Sequence, residues 1–148
     1  MVLVYLLGAQ APLEIVMGKL VSSTINTNFQ VKHGSYIISF KEGVYQQLHQ
    51  VYRESLRQEF VVCLQGKKEG MEYTITDLTL PKVFSSSVFH VSYQGCDTTS
   101  LITLHSHPYQ RCIFSQQDIA SYRAIKQTNP EAMIGVMCTP QRFTFYRE

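Results

Sequence analysis

The segment 104–118, LHSHPYQRCIFSQQD, gathers side chains that can bind a metal ion or transfer a proton. His105 and His107 are separated by one residue, and ten residues separate His107 from Asp118. In an extended strand, residues i and i+2 point to the same side, so the two imidazoles would face one point. Asp118 can return to that point from the first turn of a following helix. The spacing therefore predicts a shared site on a strand, a loop and a helix.

Two imidazoles and one carboxylate are typical ligands of catalytic zinc. Three protein ligands leave the fourth tetrahedral position for water, whose pKa zinc lowers to about 7. A single catalytic Zn2+ held by His105, His107 and Asp118 is therefore predicted. A simpler interpretation is a coincidental pair of surface histidines beside a helix cap, since Ser115-Gln-Gln-Asp118 has the outline of an N-terminal capping motif. Ser115 can cap that helix and still lie near the metal.

The elements that must position these residues are predicted from hydrophobic patterns. Residues 100–107 are β-branched and apolar up to the histidines, which favours a strand. A helix is expected from about Gln116 to Gln127, because Asn129-Pro130 stops it. Residues 132–138 are apolar throughout, as in a strand covered on both faces, and 142–147 form a last strand.

The earlier part of the chain predicts further strands around one more helix. Val44, Leu48, Val51 and Leu56 recur at helical spacing, so a helix is expected over 42–57. Strands are expected at 2–7, 13–17, 36–40, 59–66, 71–80 and 87–93, with a hairpin turn at 66–70 and a bulge near Asp77. The chain is therefore predicted to be a single α/β (α+β) domain with a central mixed β-sheet flanked by helices.

Composition excludes several classes of protein. The chain has 148 residues and a formal net charge of +2, without a basic run, which argues against nucleic-acid binding. No apolar run reaches the roughly 20 residues of a membrane span, and the N-terminus lacks the positive residues of a signal peptide, so a cytoplasmic location is expected. The four cysteines show neither CxxC spacing nor the density of a disulfide scaffold, and one disulfide stays open.

The motif His105-Ser-His107-Pro, followed by Ser115-x-x-Asp118, resembles the JAMM motif of MPN-plus metalloproteases in the Mov34/PAD-1 superfamily. It is most similar to deubiquitinases of the AMSH type and the proteasome-lid type. In these a cysteine precedes the serine by three residues, as Cys112 does here. The resemblance extends over about residues 36–146.

The same family has a glutamate upstream of the histidines, on a strand that ends in glycine. Here Glu59 is followed by Gly66 and Lys67, seven and eight residues later, as in the AMSH type. The chain has Val62 where the family often has a further glycine, and it contains no tryptophan. The resemblance implies that Glu59 is the general base and that Ser115 donates a hydrogen bond to the oxyanion.

The resemblance also implies the reaction and the partners. A zinc metalloprotease domain over 35–148 would hydrolyse the isopeptide bond between the C-terminal glycine of ubiquitin or a ubiquitin-like protein and a lysine amine. Residues 1–34 lie outside the resemblance, and their short apolar runs predict an N-terminal extension whose strands pack on the domain or mediate self-association. A homodimer or larger complex stays open. Aromatic residues near the motif are expected to contact the partner: Phe84, Phe89, Tyr93, Tyr109 and Phe114.

Three alternatives remain open at this stage. The enzyme could process a ubiquitin-like sulfur-carrier protein instead of a conjugate. The chain could be a metal-free MPN scaffold, although the full set of polar residues argues against it. Cys112 could act as a thiol nucleophile, although the histidines are better used as metal ligands.

Overall fold

The computed structural model describes residues 2–6, 22–86, 90–107 and 112–148. Within these ranges the chain forms two sheets and two helices. The elements are β1 (Val2–Leu6), β2 (Ser23–Thr24), β3 (Gln30–His33), β4 (Tyr36–Phe40), α1 (Glu42–Glu54), β5 (Val61–Glu69), β6 (Glu72–Thr79), β7 (Val83–Ser86), β8 (His90–Gln94), β9 (Ser100–Ser106), α2 (Gln116–Thr128), β10 (Met133–Thr139) and β11 (Arg142–Tyr146).

The larger sheet has the strand order β2-β11-β10-β9-β5-β6-β4-β3. Strands β9 and β10 are parallel and are joined by α2, and β4 is parallel to β6. The other neighbours in this sheet are antiparallel. The predicted α+β class with a central mixed sheet flanked by helices is therefore confirmed.

The central strands are buried on both faces because each face carries its own hydrophobic cluster. Helix α1 contributes Val44 and Leu48 to one cluster. Helix α2 contributes Ile119, Tyr122 and Ile125 to the other. Strand β10 alternates between the two, and its residues from Met133 to Cys138 are all buried, as its unbroken apolar pattern predicts.

The first helix ends earlier than its hydrophobic spacing predicts. It stops at Glu54 rather than near Arg57, because the Ser55 N–H bonds to the Tyr52 carbonyl and the chain turns. Leu56, which was predicted to lie on the apolar face, is therefore 67% exposed. The chain returns to the interior only at residues 59 and 60.

The predicted hairpin is formed by β5 and β6. Its turn is shorter than expected, since residues 67–69 continue the strand and Gly70 turns the chain with a φ of 60°. The predicted bulge is confirmed, because Gln65 pairs with Asp77 while Gly66 already pairs with Ile75.

The first 34 residues supply strands to both sheets. Strand β1 pairs with β8 in a three-stranded sheet of order β1-β8-β7, whereas β2 pairs with β11 and β3 with β4 in the larger sheet. The strand predicted at 13–17 lies outside the described residues. A division of the chain at residue 34 stays a prediction.

All four cysteines form disulfides, whereas the sequence alone left it undecided whether even one disulfide forms. Cys63 of β5 is joined to Cys96 in the connection from β8 to β9, and Cys112 before α2 is joined to Cys138 of β10.

No helix in the described ranges is long and apolar enough to cross a membrane. Disulfides are typical of oxidising compartments and of hyperthermophile proteins, so a cytoplasmic location stays a prediction.

Removing the Cys63–Cys96 bond should destabilise the fold. The two cysteines are 33 residues apart, so the double variant Cys63→Ser/Cys96→Ser should lose about 2–4 kcal/mol of unfolding free energy through greater freedom of the unfolded chain. Urea denaturation without reductant measures the loss. Wild-type protein treated with excess dithiothreitol serves as the control. Four reactive thiols in the non-reduced, denatured wild type would contradict the disulfide assignment.

Candidate metal centre

Three chain segments meet at one end of the central strands. His105 lies near the carboxyl end of β9, and His107 follows the last residue of that strand. Asp118 lies in the first turn of α2, which begins where the chain returns from β9. Glu59 precedes β5, and Val61 pairs with His105 in the antiparallel ladder. The alternation and crossover of the fold therefore bring together the four residues that the sequence singled out.

The polar atoms of these residues converge closely. The Nε2 atoms of His105 and His107 are 2.9 Å apart. Oδ2 of Asp118 lies 3.6 Å from the first nitrogen and 3.8 Å from the second. Oε1 of Glu59 lies 3.9 Å from the Nε2 atom of His105. Tetrahedral ligands at zinc bond lengths of about 2.0–2.2 Å would be separated by similar distances.

All four residues are buried, which contradicts the simpler interpretations of the sequence. His105 and Asp118 are fully buried, Glu59 is 2% exposed and His107 is 4% exposed. The histidines are therefore not a surface pair, and Glu59 is removed from solvent as well. Buried ionisable groups pair with opposite charges, bind a metal ion or become neutral.

Asp118 both caps α2 and faces the histidines. Its Oδ2 accepts a hydrogen bond of 2.7 Å from the Ser115 main-chain N–H, and its own N–H donates to Ser115 Oγ at 3.1 Å. These two bonds form the capping box that the sequence predicts. Oδ1 of Asp118 is buried and accepts no hydrogen bond from the described residues. A carboxylate oxygen in this state fits a metal ligand.

Phe114 restrains the ring of His105. The two rings meet edge to face with 6.2 Å between their centroids, and Phe114 packs in turn against Tyr146 at 6.1 Å. No sequence pattern predicts this contact, and Phe114 was predicted to lie on a partner surface instead. That prediction is wrong, because Phe114 is fully buried.

The other predicted partner contacts have mixed outcomes. Tyr93 is fully buried as well, so it cannot contact a partner. Phe84 on β7 is 49% exposed, next to the partly exposed Val83. Phe89 and Tyr109 lie outside the described residues.

The segment that leads into α2 is held at Cys112. Its disulfide to Cys138 ties the segment to β10, and its carbonyl accepts a hydrogen bond of 3.2 Å from the Thr144 hydroxyl of β11. Because its sulfur is in a disulfide, Cys112 has no thiol with which to act as a nucleophile. The structure therefore contradicts the thiol alternative.

Burial and charge strongly change the acidity of Glu59. Desolvation, together with the nearby Asp118 carboxylate, raises the pKa of Glu59 from its ordinary value of 4.5 to about 10 in the metal-free protein. A bound cation reverses this effect, since an adjacent positive charge favours the ionised carboxylate.

The donor set fits a transition metal. Glu59, His105 and His107 offer ligand atoms within 4.8 Å of one another, and Asp118 Oδ2 faces the same two nitrogens. Two nitrogen donors disfavour Mg2+ and Ca2+, which prefer oxygen ligands. Zinc fits, and so does ferrous iron, which some oxygenases hold with two histidines and one carboxylate. Two arrangements fit this donor set. In one, His105, His107 and Asp118 bind the metal and leave its fourth coordination position open. In the other, Glu59 is the fourth ligand.

The comparisons with known proteins add a structural likeness. The fold is similar to the crystal structure of a Jab1/MPN domain protein from Archaeoglobus fulgidus, with 16% sequence identity, a TM-score of 0.49, and coverage of 73% of this chain and 87% of that chain. No model of a protein family matches the sequence, and neither does a curated protein. A likeness of this size does not assign the chain to a family.

Metal analysis should find about one zinc ion per chain, because the donor set corresponds to one tetrahedral site. Asp118→Asn keeps an oxygen that can accept the Ser115 N–H but loses the anionic ligand, so its zinc content should fall sharply. Glu59→Gln should retain zinc, because a base beside the metal is not a ligand. Loss of zinc in Glu59→Gln would show a closed four-ligand site, and iron in place of zinc would contradict the metal assignment.

The contribution of Glu59 to the unfolding free energy of the metal-free protein should fall as pH rises. The folded state keeps a proton on Glu59 up to about pH 10, whereas the unfolded state releases it near pH 4.5. The contribution of Glu59 to stability is therefore greatest below pH 4.5 and falls as pH rises towards 10. In the presence of chelator, Glu59→Gln should unfold at a higher temperature than wild type at pH 8 but not at pH 4. The exposed Glu69, changed to Gln, is the control; an equal effect in both variants would refute the assignment.

Proposed function

We propose that the chain is a zinc-dependent isopeptidase of the JAMM type, within the MPN superfamily. It hydrolyses the bond between the C-terminal glycine of ubiquitin, or a ubiquitin-like protein, and a lysine amine. The observation that carries the proposal is the buried convergence of Glu59 with His105, His107 and Asp118. The spacing of these residues, which resembles the JAMM motif, supports the same conclusion.

His105, His107 and Asp118 would hold the zinc ion. A zinc ion bound there supplies Lewis acidity and lowers the pKa of a bound water to about 7. The capping box fixes the Asp118 carboxylate, and Phe114 restrains the His105 ring. The ligands are thus held by the helix start and the core before any metal arrives, which is the preorganisation that such a site requires.

Glu59 is the general base. Its carboxylate lies on the His105 side of the centre, at 3.9 Å from Nε2, in a position to accept a proton from the attacking water. The same proton then passes from Glu59 to the departing lysine amine. A buried carboxylate suits both steps, because a cation bound beside it favours the ionised form that accepts the proton.

Ser115 donates a hydrogen bond to the oxygen of the attacked carbonyl. Its Oγ already accepts the Asp118 N–H, so the hydroxyl proton can point to a substrate. The residue is 9% exposed and begins α2, where the helix dipole also favours negative charge. Each oxyanion donor of this kind typically contributes about 2.7–4 kcal/mol to transition-state binding.

Two features of the described structure are compatible with a substrate tail that ends in glycine. A tail that ends in glycine lacks side chains and can approach a buried metal closely. Such a tail can also add as a strand to a sheet edge, and β7 pairs only with β8 among the described strands. Phe84 and Val83 lie on that strand and expose apolar surface.

Two other functions remain as outcomes of the test. A ubiquitin-like sulfur-carrier protein would use the same centre and differ only in the partner surface. A metal-free MPN scaffold would need none of the buried charges, and the burial of four ionisable residues argues against it.

The decisive assay incubates the protein with ubiquitin chains of defined linkage and with ubiquitin-like conjugates. We expect chelator-sensitive release of the free modifier. Glu59→Gln should lower the rate about a hundred- to ten-thousand-fold with zinc still bound. Ser115→Ala should cost about a hundred- to a thousand-fold, and about 1 kcal/mol of stability through the lost cap.

Each result excludes a different part of the proposal. Cleavage of an unrelated peptide, without cleavage of any conjugate, would leave a metallohydrolase and refute the isopeptidase. Normal activity in Glu59→Gln would refute its role as the base. An unchanged rate in Ser115→Ala, with lower stability, would reduce Ser115 to a helix cap.

A further inference from the structure

Ser106 lies between the two histidines in the sequence, and it forms hydrogen bonds with the backbone of Phe60. It is 4% exposed, and its main-chain N–H donates to the Phe60 carbonyl at 3.0 Å. Its hydroxyl oxygen accepts a hydrogen bond of 3.0 Å from the Phe60 N–H. Both bonds therefore join Ser106 to the residue that follows Glu59.

The register of the strands gives this contact its importance. Val61 pairs with His105 in the antiparallel ladder of β5 and β9. The next step of the same register sets Phe60 opposite Ser106, and one further step would set Glu59 opposite His107. The Ser106–Phe60 pair thus continues the contact between the two strands by one step towards the metal centre.

The Glu59 backbone lies between an exposed turn and the start of β5. On its N-terminal side lies the exposed turn that contains Leu56. On its C-terminal side the Phe60 side chain is buried and meets Tyr52 edge to face at 6.2 Å. These contacts fix the ring of Phe60, whereas the Ser106 hydroxyl fixes the peptide unit that joins Phe60 to Glu59.

We infer that Ser106 is a positioning residue for Glu59. It touches neither substrate nor metal in this role; its hydroxyl keeps the Glu59 carboxylate opposite the histidines. The inference rests on the proposed role of Glu59 as base. A displacement of about 1 Å in a catalytic group can cost about a hundred-fold in rate. Loss of the hydroxyl should therefore lower kcat about ten- to a hundred-fold, with little change in KM.

The test compares Ser106→Thr with Ser106→Val, which have the same shape and differ in the hydroxyl. Amide hydrogen exchange of Phe60, measured by NMR, should be faster in Ser106→Val and near wild type in Ser106→Thr. Zinc affinity should change little, because the contacts that hold the His105 ring and the Asp118 carboxylate do not involve the Ser106 hydroxyl. Thr128→Val is the control, since its hydroxyl bonds to the Ile125 carbonyl at the far end of α2.

A double-mutant cycle then shows whether Ser106 acts through Glu59. The valine variant should lower kcat in the wild-type background and add nothing to the loss in Glu59→Gln. Full additivity, a failure of threonine to restore kcat, or a fall in zinc affinity would overturn the inference. If wild type cleaves no conjugate, the proposed function fails. In that case the inference about Ser106 is tested by amide exchange and zinc affinity alone. Unchanged amide exchange of Phe60 in Ser106→Val would overturn it.

Discussion

One carboxylate oxygen, Oδ2 of Asp118, connects the helix to the rest of the centre. It accepts the Ser115 N–H and also faces the nitrogens of His105 and His107. A fully buried carboxylate is costly unless several groups compensate its charge. Here the start of the helix supplies a hydrogen bond and a favourable dipole, and the imidazole nitrogens lie where they can share a cation with the carboxylate. The position of α2 on the sheet is therefore set by the chemistry of this oxygen as much as by packing.

The surrounding structure limits movement of these groups from several sides. The Cys112–Cys138 bond and the Thr144 hydroxyl anchor the segment that enters the helix. Phe114 fills the space beside His105. Since the strands beneath are packed on both faces, the histidines have a rigid base. Rigidity of this kind lowers the reorganisation that a reaction at the centre would require.

The sequence predicted the parts of the molecule that depend on local periodicity. The strand before His107, the helix that starts at Ser115 and the apolar strand β10 all follow from spacing and turn residues. The spacing also placed His105 and Asp118 at one site. The approach of Glu59 could not be worked out from spacing, because antiparallel pairing of β5 with β9 is a non-local contact; it came from a motif resemblance.

The errors have similar physical causes. The end of α1 depends on one competing turn, so Leu56 was assigned to the wrong environment. Aromatic residues near a motif look alike in sequence whether they pack inward or outward, and Phe114 and Tyr93 pack inward. The pairing of Cys63 with Cys96 depends on how two sheets meet, which no pattern within one element can reveal.

The register of β5 against β9 has a consequence for protein design. A centre of this type is often described by a short motif, yet its residues come from three segments that only the paired strands and the crossover helix align. Grafting the His-x-His motif alone onto another scaffold would transfer two histidines without Glu59 or the capped carboxylate. The smallest transferable unit is the strand pair with α2, with Phe60 opposite Ser106 as the reference point for alignment.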